Sequence, residues 1–147
     1  MSQEKDLHLF IGLSRTVLHL HRLCDELFYA YNITRTQFGV MEAIYHKGPL
    51  RQCDVRELIL TTPGNLPVVV KNLVRDGLVK TVVDEKDRRS RWLHLTKKGK
   101  SLMDEVFPKN AALLEEALSV WSEEEKEELR ALLRAFRNRT QEGKETL

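Results

Sequence analysis

A chain of 147 residues suits one domain with a modest core. Its apolar fraction of 41% is ordinary for a globular protein, and no apolar run approaches the roughly 18 residues of a membrane span, so a membrane-spanning reading is excluded. The formal charge of +2 discriminates little, and two cysteines, Cys24 and Cys53, are too few for a disulfide scaffold. The opening MSQEKDLHLF is acidic and lacks a signal-peptide pattern, so a cytoplasmic protein is expected.

The distribution of charge says more than its sum. Residues 1–46 hold 4 Lys/Arg and 5 Asp/Glu, residues 47–100 hold 13 and 6, and residues 101–147 hold 7 and 11. A middle third of net +7 therefore lies between acidic flanks, the footprint expected of a face that meets a polyanion.

In chain order, residues 4–31 read as one long helix. Phe10, Leu13, Val17, Leu20, Cys24, Leu27 and Tyr31 alternate spacings of three and four, a heptad-like seam for packing against other helices. Asn32-Ile33-Thr34 breaks it. Thr34 or Thr36 can cap a second helix to about His46, and Lys47-Gly48-Pro49 is a turn. Residues 50–60 form a third helix, and the short join Leu60-Thr61-Thr62 suits a helix-turn-helix.

Thr62 can cap the next helix, with Pro63 in its first turn. Leu66, Val69, Val70 and Leu73 form its apolar stripe. Gly64, Val68, Lys71, Asn72 and Arg75 fall on the opposite face, and Gly77 ends it. Two β-rich runs, residues 78–83 and 90–95, flank the charged tip Asp84-Glu85-Lys86-Asp87-Arg88-Arg89. Thr96 caps a further helix with Lys97, Lys98 and Lys100 in its first turn, cations that oppose the helix dipole unless a phosphate lies near. Pro108 predicts a kink or break near residues 104–108. Ser122 and Glu125 make a capping box for a last helix with Leu129, Leu132, Leu133 and Phe136 on its apolar face; the tail after Arg139 reads as frayed. The fold class is mostly α with a small β-hairpin wing: a winged helix-turn-helix at residues 34–100, with dimerisation helices at 1–31 and 101–140, in one domain.

In such a module the helix enters the major groove of double-stranded DNA and the wing reaches a minor groove. Asn65 and Asn72 can bond base edges or phosphates, Lys71 and Arg75 phosphate or guanine, and Val68 a thymine methyl. Thr62 and Gly64 lie at the helix start, where N–H groups favour phosphate. Lys86, Arg88 and Arg89 complete the set from the wing.

The run TPGNL…V…NLVRDGLV, then DEKDRR, then LTKKGK, resembles the MarR family of bacterial and archaeal transcription regulators. The family's wing pattern, Asp-x-Arg-Asp-x-Arg, is met by Asp84, Lys86, Asp87 and Arg89, with Lys86 replacing the first arginine. The resemblance spans almost the whole chain. It implies that Arg89 inserts into the minor groove with Asp87 as its orienting partner, and that a homodimer reads a palindromic operator, most simply as a repressor. Pro67 departs from the polar residue usual in the family and removes one expected contact.

The resemblance also implies an effector cleft lined by Leu13, Val17, Leu20, Phe38 and Met41, with His19, His21 and Arg22 as candidate anchors. Apolar walls with such anchors suit a small aromatic or amphipathic acid. Two other readings stand beside this one. The first is a thiol-based redox sensor acting through Cys24, although family members that sense peroxide carry cysteine where this chain has Phe10. The second is a winged-helix protein-interaction module without DNA binding, which would make Arg88 and Arg89 superfluous. No metal-ligand spacing, cofactor loop or catalytic set stands out; neither enzyme nor cofactor is expected.

Overall fold

A computed structural model describes residues 2–59 and 65–145. The element order is α1 (Ser2–Ala30), α2 (Arg35–Lys47), β1 (Leu50–Arg51), α3 (Gln52–Leu58), α4 (Leu66–Arg75), β2 (Val79–Val83), β3 (Arg91–Leu95), α5 (Lys97–Leu118) and α6 (Glu123–Glu145). The chain forms two compact units, residues 1–114 and 115–147.

Local chemistry explains the boundaries. α1 ends where Asn32 takes a left-handed conformation, φ 55°, so that the Ile33 N–H reaches the Phe28 carbonyl and the Asn32 N–H that of Tyr29. This is a Schellman cap, with Ile33 and Phe28 both buried beside it. Thr34 caps α2 in a reciprocal box with Gln37. Gly77, φ 72°, closes α4 in the same way as Asn32 closes α1: the Leu78 N–H donates to Leu73 and the Gly77 N–H to Val74. Ser122 and Glu125 box the start of α6.

The core of the first unit gathers one face of every element from α1 to α5. Phe28, Met41, Val55, Leu66, Leu73, Leu93, Met103 and Val106 are essentially without exposure. Phe28 and Phe38 stack with centroids 4.4 Å apart, locking α1 to α2 at about 0.5–1.5 kcal/mol beyond simple burial. The three-stranded antiparallel sheet has order β1-β3-β2. Arg51 faces Trp92, and the hairpin register runs from Val79 opposite Leu95 to Val83 opposite Arg91.

Three expectations need correction, and a fourth falls outside the described residues. The third helix starts only at Gln52, because Leu50 and Arg51 are drawn into the sheet beside β3. The expected start of the recognition helix, Thr62-Pro63-Gly64, with Leu60 and Thr61 before it, lies outside the described residues; α4 is helical from Leu66, with Asn65 at its N-cap and Pro67 in its first turn. Pro108 does not break α5, which is continuous from Lys97 to Leu118. The missing hydrogen bond costs about 3 kcal/mol in an isolated helix, but Met103 and Val106 before it and Asn110 after it are buried and hold both sides in line. The tail after Arg139 continues as helix to Glu145.

Candidate nucleic-acid interface and neighbouring cleft

The α4 stripe is buried as its spacing demands: Leu66, Val69, Val70 and Leu73 all enter the core. Burying that face fixes what the other presents. Asn65, Val68, Lys71 and Arg75 are exposed, and Asn72 is half-buried among them. Val68 is 55% exposed on that face. Arg75 is tethered by its own neighbour, Nε lying 3.1 Å from an Asp76 carboxylate oxygen. Thr62 and Gly64 lie outside the described residues.

At the hairpin tip the two aspartates are turn builders. Asp84 accepts the Lys86 N–H at 3.0 Å and Asp87 the Arg89 N–H at 3.1 Å, two successive Asx turns three residues apart. Asp87 thus orients Arg89 through its backbone, not through its guanidinium. The Lys86, Arg88 and Arg89 side chains project outward and hold no ion pair among the described residues.

The wing is rooted at Asp84, already part of the wing pattern, and at Arg51, to which the sequence assigned no role. Asp84 is buried, and Arg51 of β1 pairs with it at 2.9 Å while lying 5.0 Å from the Trp92 ring centroid. The Lys86 N–H holds the Asp84 carboxyl below the ordinary aspartate range, against the opposing effect of its desolvation and with help from Arg51 and the Trp92 indole. The period-two pattern signals β3, but nothing local signals that Arg51, 33 residues before Asp84, would meet its carboxylate.

The Leu-Thr-Lys-Lys-Gly run joins the recognition helix to α5. The Thr96 hydroxyl donates to the Gly77 carbonyl at 2.6 Å and accepts the Gly99 N–H at 3.0 Å. Lys98 Nζ donates to the Asp76 carbonyl at 2.9 Å. Lys98 thus opposes the dipole of its own helix but favours that of α4, whose negative end it caps. Lys100 pairs with Asp104 at 3.1 Å, so two of the three lysines expected to face phosphate are held internally. A Cβ on Gly99 would stand 2.1 Å from the Leu78 carbonyl oxygen, so only glycine allows α5 to start this close to the end of α4.

Beside this lobe a cleft of about 540 Å³ opens between α1, α2, α3 and α5. Of the expected lining residues it contains Val17, Leu20 and Phe38, together with Cys24, Phe28, Gly39 and Ile59. Met41 and Leu13 do not line it: Met41 is 0% exposed inside the lobe, and Leu13 lies one turn nearer the amino terminus of α1, 42% exposed. Of the three expected anchors only His21 borders the cleft. His19 is exposed, and Arg22 shares a separate surface with Asp25, Glu26 and Tyr29. Arg35, Glu42 and Asn110 are polar lining residues the sequence reading missed. Burial pushes the Cys24 thiol up, with Asp25 adding to this and Arg35 opposing it, which makes a poor thiolate nucleophile. Cys53 is exposed. Among the described residues no cluster of His, Cys, Asp or Glu could hold a metal ion, and no helix is long and apolar enough to cross a membrane.

A family model described as "MarR family" matches residues 31–90, which cover α2, α3, α4 and the hairpin up to its tip. The HTH-type transcriptional regulator MhqR of Bacillus subtilis is 36% identical over 126 residues, 84% of this chain and 86% of that protein. A MarR variant of E. coli crystallised with operator DNA superposes with a TM-score of 0.82 at 20% identity, covering 90% of this chain and 95% of that one. Bordetella bronchiseptica BpsR, whose DNA binding is regulated by 6-hydroxynicotinic acid, superposes at 0.79 with 21% identity, covering 88% and 98%. At these identities the structural likenesses speak for the fold.

Proposed function

Because this chain belongs to the MarR family of transcriptional regulators, we propose that it acts in the cytoplasm as a homodimeric repressor of a palindromic operator, released by a small molecule. The observation that carries the DNA-binding part is the exposed cationic tip of Lys86, Arg88 and Arg89, held in shape by two aspartates that point their acceptors inward. With Asn65, Val68, Lys71, Asn72 and Arg75 on the outer face of α4, it offers base-reading and phosphate-binding groups together. Operator binding by the E. coli relative's variant and the ligand regulation of BpsR support the same reading by likeness.

The dimer is proposed from apolar surface left uncovered in each unit. Leu7, Leu9, Phe10 and Val17 are exposed on α1, and Leu132, Leu133 and Phe136 on α6. Release is proposed through the cleft, which touches α5, the helix fastened to the end of α4 by Thr96, Lys98 and Gly99. An occupant that prefers the non-binding spacing of the recognition helices would release DNA by its differential affinity alone.

Gel shift against the chain's own upstream region tests the reading. Arg89→Ala is expected to weaken binding by about 1–3 kcal/mol and to reduce the salt dependence by about one counterion. Wild-type affinity in Arg89→Ala would remove the wing from the interface. An absence of specific binding at moderate salt would favour a protein-interaction module.

A further inference from the structure

Arg51 joins two parts of the DNA-binding lobe that are far apart in sequence. Its backbone is the N-cap of α3, where the first helix of the helix-turn-helix begins. Its side chain starts from β1, on the opposite side of β3 from β2. Arg51 and Val82 both pair with Trp92, so they share one face of the sheet with Asp84, two residues beyond Val82. The arm crosses β3 on that face. Its guanidinium carbon lies 5.0 Å from the Trp92 ring centroid, within cation–π range, and Nη2 reaches an Asp84 carboxylate oxygen at 2.9 Å. Nε is buried without a hydrogen-bond partner among the described residues. That desolvation is unfavourable, and the ring and the carboxylate hold the arm in place against it.

We propose that Arg51 is a positioning residue for DNA binding, which braces Asp84 and thereby aims the wing tip that carries Arg88 and Arg89. The inference rests on the reading of the wing as a DNA contact. Asp84 stands where the hairpin leaves its ladder: its N–H donates to the Ser90 carbonyl at 3.1 Å, and its carboxylate accepts the Lys86 N–H at 3.0 Å. Whatever fixes that carboxylate fixes the first turn of the tip, and the tip arginines follow three and four bonds of backbone later. A carboxylate freed from Arg51 keeps the Lys86 N–H but loses its tie to the rest of the lobe. The other role open to a side chain that is 40% exposed is a phosphate contact of its own. The two roles differ in one respect: a brace matters only while the tip has arginines to aim.

The test is a double-mutant cycle on the full chain, read by fluorescence anisotropy with a labelled duplex of the chain's own upstream region at fixed moderate salt. Arg51→Met keeps an apolar stem over Trp92 and removes the guanidinium. It is combined with a tip stripped by Arg88→Ala and Arg89→Ala. Arg51→Met is expected to weaken binding about tenfold with the tip intact and about twofold or less with the tip stripped. A variant that loses a phosphate contact, or is merely destabilised, loses the same factor in both backgrounds. That result, or wild-type affinity in Arg51→Met, overturns the role of Arg51 and leaves the DNA-binding reading intact. Should Arg51→Met not fold by circular dichroism, Arg51→Lys replaces it under the same criterion, since lysine keeps the charge but not the planar stack on Trp92. Wild-type affinity in the stripped variant takes the wing out of the interface and overturns this inference while DNA binding stands. No specific binding by the wild type overturns the DNA-binding reading and this inference with it.

Discussion

At Asp84 one carboxylate accepts from the Lys86 N–H and the Trp92 indole and faces the Arg51 guanidinium. Because its pKa in the folded chain is depressed, the stability it contributes is present above the ordinary aspartate value of about 3.9 and is lost as pH falls through the folded value. Thermal unfolding followed between pH 7 and pH 3 should therefore show an acid decline that is shallower in Asp84→Ala, a variant already less stable at neutral pH. An identical acid limb in both proteins would remove Asp84 from the wing's foundation. Asp87 does the same turn-building work with less burial. The motif that reads as a charge pattern is, physically, two Asx turns whose carboxylates take up backbone N–H groups, while Lys86, Arg88 and Arg89 hold no ion pair among the described residues.

Among elements, the joint between α4 and α5 ties the end of the recognition helix to the helix that follows the wing. Alanine is normally favoured over glycine inside a helix by up to about 1 kcal/mol. At Gly99 the clash with the Leu78 carbonyl decides the sign, because backbone cannot swing aside as a side-chain tip can. Gly99→Ala should lose about 1–3 kcal/mol of stability by chemical denaturation, in the range of overpacked sites. A stabilised variant would mean the joint is slack.

This joint also marks what sequence could tell. Leu66, Val69, Val70 and Leu73, the hairpin runs, Thr96 and the Ser122–Glu125 box were legible because each depends on neighbours within a turn or two. β1 and its Arg51 were not, because a two-residue strand has no period and exists only through pairing with β3. Pro108 misled for the same reason in reverse: a local rule was overridden by burial on both sides. In the cleft, Val17, Leu20 and Phe38 were expected from the family resemblance, whereas Asn110 comes from an element 72 residues after Phe38 and no spacing rule reaches it.

At the scale of the whole molecule the proposed dimer turns one half-site reader into a palindrome reader. Phe136 on α6 is 69% exposed, and apolar surface of this kind marks an interface. Light scattering should give the mass of two chains for the wild type and of one for Phe136→Glu, with retained helical circular dichroism and weakened operator binding. A dimeric Phe136→Glu would move the interface away from that face. The central claim is that two copies of α4 and its wing read DNA sequence together, and selection of binding sites from a random duplex library by the purified full chain tests it most directly. The predicted result is an enriched inverted repeat with half-site centres about one helical turn, roughly 10–10.5 base pairs, or a multiple of it apart, whose affinity falls steeply with salt. Recovery of no common sequence, or of a single unrepeated half-site, would contradict it.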